Sequence, residues 1–166
     1  MVTNFFTKAV QRRRYNRWLR QHEYAQVLEN IDASIAQFPK ASEFWIFKLW
    51  ALTETKAFDQ ALPEVQKALE AHPDHPVLLN LLGETQHALG QADQALATLH
   101  RVLNLTPDNI HTAYLLGQIY VAQGQLDIAS RYFEGILKYD PKLLNVRLLA
   151  MAERMIYEVQ QKAPRS

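Results

Sequence analysis

The chain has 166 residues, 48% of them hydrophobic and 21% charged, with 5 Gly, 7 Pro, no Cys and a net charge of +1. That composition is globular rather than disordered, and the length suffices for one domain with a real core. Without Cys, disulfides, thiolate zinc sites and cysteine nucleophiles are excluded, and a reducing cytoplasm is the compartment that fits.

The charge is unevenly placed from the start. Residues 1–20 hold Lys8, Arg12, Arg13, Arg14, Arg17 and Arg20 and no acid, while the remainder carries 12 bases against 17 acids. This is a basic arm on an acidic body. Three readings stay open for it. It is a solvated first helix with Tyr15, Trp18 and Leu19 packed inward, or a dock for an acidic protein surface, another copy included. The third is attraction to the phosphates of nucleic acid or anionic lipid, with Val2, Phe5, Phe6, Ala9 and Val10 as a short interfacial face. No apolar run approaches the roughly 18 residues needed to cross a bilayer. The first 14 residues have no long apolar stretch behind their charges, so no secretory signal is expected.

Prolines stand at 39, 73, 107 and 141, each 34 residues after the last. A fixed period of this size marks a repeat architecture. Placing each Pro at position 32 gives a short segment 1–7, repeats 8–41, 42–75, 76–109 and 110–143, and a tail 144–166. Other columns keep the same interval: Val27, Ala61, Ala95 and Ala129; Ile31, Val65, Leu99 and Phe133; Tyr24, Phe58 and Leu126, broken by Ala92. Gly83 pairs with Gly117, Gly90 with Gly124, and Asp59 with Asp93 and Asp127.

Each repeat reads as two helices. In 42–75, the segment 44–52 is apolar nearly all round, and Pro63 in the first turns of the second helix is expected to bend or delay it. In 76–109, Leu78, Leu79, Leu82, Thr85, Gln86 and Leu89 share one helical face. Gly90 suits the left-handed residue that ends a helix. A second helix follows over about 92–105 with Leu96, Leu99, Val102 and Leu103 inward, and Pro107 closes it. In the tail, Leu144, Leu148, Met151, Met155 and Val159 share a face, with Leu149 and Ile156 off that stripe. No segment shows sustained strand alternation.

The chain thus resembles the tetratricopeptide repeat (TPR) family over 8–143. Leu116, Gly117, Tyr120, Ala129, Phe133 and Pro141 follow the family pattern closely, and Leu82, Gly83, Ala95, Leu99 and Pro107 keep most of it. The 42–75 repeat keeps Trp45, Ala61 and Pro73 but has Lys48 and Leu49 where Leu-Gly is usual. The first repeat departs most, with Arg14 and Tyr15 at those places. The resemblance implies an all-α, right-handed α-solenoid of about four helical hairpins, with 144–166 as a C-terminal capping helix and tail.

It also implies a job: a non-catalytic protein–protein interaction module, an adaptor, scaffold or assembly factor, holding a peptide or partner helix in a concave groove. The groove places are Arg12, Asn16, Ile46, Phe47, Trp50, Asn80, Leu81, Glu84, His87, His111, Tyr114 and Gln118. Two readings of the aromatics stay open. In one, Trp45 and Leu49 are core and the first repeat covers Trp50; in the other, Phe47 and Trp50 anchor an apolar partner. Arg12 and Asn16 imitate the first pair of the clamp with which some members hold a chaperone's C-terminal carboxylate. Phe47, Val77 and Leu81 fill the other places and cannot hold one. The alternative function is peripheral binding to an anionic surface through the basic arm, Arg12, Arg13, Arg14, Arg17 and Arg20. Expected partners are a protein or peptide, with a homo-oligomer also open. No cofactor is expected. His72-Pro73-Asp74-His75 lacks matching metal ligands elsewhere, and no phosphate-binding loop, nucleophile elbow or HExxH occurs. A cytoplasmic protein, peripheral to a membrane or within a larger complex, is the expected setting.

Overall fold

A computed structural model describes residues 2–138 and 146–162 of the chain, and among these it contains only helices and their connections. The order is α1 (Val2–Arg20), α2 (Tyr24–Gln37), α3 (Ser42–Glu54), α4 (Phe58–Ala71), α5 (Pro76–Ala88), α6 (Ala92–Leu105), α7 (Ile110–Ala122), α8 (Leu126–Leu137) and α9 (Val146–Lys162). None of them is long and apolar enough to cross a membrane. Pro141, and with it the last of the four equally spaced corners, lies outside the described residues, as do Leu144 and the side chains of Val2, Phe5, Phe6, Leu148, Leu149 and Met151.

Helix starts follow the 34-residue interval. First helices begin at Ser42, Pro76 and Ile110, and second helices at Tyr24, Phe58, Ala92 and Leu126. Two departures stand out. α1 runs 19 residues against 13 for α3, α5 and α7, so it passes straight through the expected boundary at 7/8. Pro63 does not delay α4, which starts in register with its equivalents. Pro63 is an exposed residue inside α4.

The hairpin turns share one backbone device. Gly90 and Gly124 have φ of +77° and +74°, and the equivalent places hold His22 and Lys56, both at φ 58°. Every turn therefore needs a left-handed residue, which glycine adopts freely and His22 and Lys56 adopt at some cost.

The chain packs as two compact units, Met1–Gly90 and Gln91–Ser166. In the first, α3 is the hub and packs on α1, α2, α4 and α5. Phe44, Phe47 and Ala51 join Tyr15, Val27 and Ile31 on one side. Trp45, Leu49 and Leu52 join Ala61, Val65, Ala68, Leu78 and Leu81 on the other. A helix buried on both sides has to be apolar nearly all round, which accounts for the segment 44–52. Lys48 crosses the same region, its Nζ 2.8 Å from Asp32 and 2.7 Å from Glu64, so it ties α3 to α2 and α4.

In the second unit Ala95 and Leu99 of α6 pack on Leu115, Leu116 and Ile119 of α7. Tyr114, Ala129, Phe133 and Ile136 form a further cluster that Ala152, Met155 and Val159 of α9 cover. Ile156, expected off the stripe, joins it, because α9 lies against both α7 and α8 and so buries a wider face.

Two of the sequence columns are fully buried throughout: Val27, Ala61, Ala95 and Ala129, and Ile31, Val65, Leu99 and Phe133. Sixteen positions before the members of the second column stand Tyr15, Leu49, Gly83 and Gly117. Large Tyr15 and Leu49 share their clusters with Ile31 and Val65, whereas Gly117 faces Phe133, whose ring atoms lie only 2.5 Å from where a Cβ on residue 117 would stand.

Candidate protein-interaction face

The first unit presents α1, α3 and α5 as neighbours, α3 packing on both others. On α1, Arg12, Arg13, Arg17 and Arg20 are exposed. Asn16 is half-buried and donates from Nδ2 to the Arg12 carbonyl, while Arg20 Nε donates to the Asn16 carbonyl. Arg14 is set apart from the other bases: its guanidinium lies 5.4 Å from the Tyr15 ring centre and 4.9 Å from that of Trp18. It is thus committed to the core aromatics. The arm is an integral helix, since Tyr15 is fully buried and its hydroxyl contacts Ser34 Oγ at 2.7 Å and donates to the Asn30 carbonyl at 2.8 Å.

Across from it, Lys8 Nζ sits 2.8 Å from Glu43 at the start of α3. Burial alone would raise the Glu43 pKa; the Lys8 hydrogen bond, the local backbone N–H and the charges of Lys8 and Arg12 outweigh it and hold the carboxyl below its ordinary value.

On α3 the two candidate aromatics part company. Phe47 is 6% exposed, its ring 6.0 Å from Tyr15 and 6.2 Å from Phe44. It is a core residue and not an anchor. Trp50, one turn on, is 45% exposed. The first repeat does not cover it. Ile46 is half-buried, and Thr53 is buried, its hydroxyl donating to the Trp50 carbonyl. On α5, Leu81 belongs to the core and Asn80 is buried, so neither offers a free side chain to a partner, while Val77 is 38% exposed. Glu84 and His87 are half-buried.

Glu84 is the electrostatic outlier. Burial, and secondarily the charge of Glu54, raise its pKa above the ordinary 4.5. Glu54 follows Trp50 by four residues on α3 and accepts a hydrogen bond from the Tyr24 hydroxyl at 3.3 Å. It was not among the residues singled out in the sequence, although its place one turn after an aromatic was there to be noticed. Burial lowers the pKa of His87.

The shift at Glu84 has a stability consequence. The folded chain binds this proton more tightly than the unfolded chain does. The contribution is therefore full below pH 4.5 and is lost as pH rises through the folded value. Glu84→Gln is expected to be more stable than the parent at pH 7, with the advantage vanishing below about pH 4.5. Urea midpoints at the two pH values check this; a Gln variant less stable at pH 7 would refute it.

In the second unit, His111 is exposed. Tyr114 is buried and its hydroxyl accepts from the half-buried Gln118 side chain at 3.2 Å, so Tyr114 is core with a polar tip. His72 and His75 face each other with ring centres 6.4 Å apart, and among the described residues no group of three or more metal-binding side chains occurs.

The family described as Tetratricopeptide repeat matches residues 52–119 and 86–152, and a second family profile of the same description matches 18–76. No curated protein matches. Among solved structures, a thermophilic TPR protein of Thermus thermophilus is 21% identical, covering 86% of this chain and 78% of its own, with a TM-score of 0.75. The MamA protein of Desulfovibrio magneticus is 22% identical over 93% of this chain and 94% of its own, TM-score 0.68. The pilF product of Pseudomonas aeruginosa is 16% identical over 99% and 80%, TM-score 0.72. At these identities the likeness establishes the fold.

Proposed function

The chain belongs to the tetratricopeptide repeat family, and from that premise we propose that it is a non-catalytic protein-interaction module, an adaptor, scaffold or assembly factor. In this reading 8–41, 42–75, 76–109 and 110–143 are its repeats, with 144–166 as the cap, and the first-helix face of the unit Met1–Gly90 holds a peptide or partner helix. The observation that carries it is Trp50: α3 buries every other large aromatic it has, yet leaves this one 45% exposed. Exposing a Trp costs hydrophobic free energy, and aromatics of this kind dominate binding at interfaces. Half-buried Ile46 and exposed Val77 on the same pair of helices extend the apolar area. Phe47, Asn80 and Leu81 are buried residues of the same two helices.

A second reading, attraction to an anionic surface, is favoured by the four exposed arginines of α1. One experiment separates the two. Partners captured from the native source are identified by mass spectrometry, and the affinity of each is measured for the parent and Trp50→Ala at low and high salt. The first reading expects Trp50→Ala to lose about 2 kcal/mol, roughly thirtyfold, with little salt dependence. Unchanged affinity in the variant, together with binding that collapses in salt, would transfer the function to the basic face.

A further inference from the structure

The face around Trp50 is segregated by charge. Lys8, Arg12 and Glu43 lie by the first turn of α3, where base outnumbers acid; Glu54 closes its last turn, and Glu84 lies on α5. The eleven residue steps of helix from Glu43 to Glu54 correspond to about 16 Å, so the two ends present opposite signs at separate places. Trp50 and Glu54 stand four residues apart on one helical face, and Trp50 and Glu84 occupy equivalent positions, 34 residues apart, on helices that pack together. Glu54 is close enough to Glu84 for their charges to interact.

From this arrangement we infer that the last turn of α3 and the middle of α5 form a seat for a cationic side chain, Arg or Lys, of the bound segment. Its charge is held by Glu54 and Glu84, and its guanidinium plane or aliphatic stem lies on the exposed Trp50 ring. The inference rests on the interaction reading above and names the chemistry of what that face takes. Three observations join in it. A half-buried carboxylate next to a like charge is unfavourable in the free protein, and a cation removes both penalties at once. An indole face is the best aromatic partner for a cation. The Tyr24 hydroxyl donates to Glu54 and so orients that carboxylate. The complementarity also runs against the other end of the face, where Arg12 and Lys8 repel the same ligand group, so the bound segment has a direction.

The test uses the full chain and a fluorescein-labelled, N-acetylated, C-amidated tetra-arginine peptide, with the tetra-glutamate peptide as counterpart, followed by anisotropy at low salt. Glu84→Gln and Trp50→Ala are each expected to weaken tetra-arginine binding about fivefold or more. Glu70→Gln, which removes the same charge from an exposed place on α4, is expected to change it less than about twofold. Equal weakening by Glu70→Gln and Glu84→Gln, no effect of Trp50→Ala, or equal binding of the two peptides would each overturn the seat. The captured native partner separates this failure from that of the broader reading. A partner lost with Trp50→Ala but kept in full by Glu84→Gln overturns the seat and leaves the interaction face standing. A partner kept by Trp50→Ala counts against the face itself.

Discussion

Phe133→Ala is expected to destabilise the unit Gln91–Ser166 by about 3–5 kcal/mol, the cost of a full aromatic cavity in a closed core. Phe133 is fully buried between α7, α8 and the covering helix α9, and its ring packs at 5.9 Å against Tyr114. The same ring leaves no room for a side chain at residue 117. Gly117→Ala alone should therefore cost about 1–3 kcal/mol by overpacking, despite alanine's better helix propensity. In the Phe133→Ala background the added methyl enters the cavity instead, so the double variant should be more stable than the sum of the two losses. Urea denaturation of the four proteins gives the coupling term. Strict additivity would mean that the two positions do not meet as described.

Tyr15→Ala is expected to cost the unit Met1–Gly90 a similar amount, about 3–5 kcal/mol, and Tyr15→Phe about 1–2 kcal/mol. The ring is fully buried with edge contacts to Trp18 and Phe44 at 5.6 and 5.9 Å. Its hydroxyl serves Ser34, itself 2% exposed, and the Asn30 carbonyl. Phenylalanine keeps the ring and removes both hydroxyl contacts, so the difference between the variants divides packing from hydrogen bonding. Denaturation midpoints monitored by circular dichroism measure both; a Phe variant as stable as the parent would show that the hydroxyl contacts carry nothing. The result bears on how the basic helix is to be probed. Deleting residues 1–20 removes Tyr15 and with it a core, so the role of Arg13, Arg17 and Arg20 has to be read from charge substitutions that leave the helix in place.

The interaction face shows where local pattern stops being informative. Phe47 and Trp50 are three residues apart on one helix, both large, aromatic and placed on the same expected groove. Because α3 is apolar nearly all round, its own sequence contains no polar stripe to tell the buried flank from the open one. The decision belongs to Tyr15, thirty-two residues before Phe47, whose ring closes over that side chain and not over Trp50. Asn80 and Tyr114 were placed on the groove by helical position and are buried in the folded protein. The Tyr114 hydroxyl accepts from Gln118 within its own helix. Glu84, a groove place in the sequence, is made costly by burial and secondarily by the charge of Glu54.

By itself the sequence determined the repeat interval, the helix pairs that keep it, the alanine and branched-residue columns that are buried throughout, and the family. These are properties of spacing along one strand of covalent chain, and a helix converts spacing into direction without help from its neighbours. Only the tertiary structure decided which flank of α3 stays open, that the basic segment is a helix rooted by Tyr15, that His22 and Lys56 take the left-handed turn that Gly90 and Gly124 take elsewhere, and that Glu54 stands beside Glu84. Each of those depends on a residue brought close from another helix, and burial and electrostatic cost are set by that neighbour rather than by the residue's own place in the pattern.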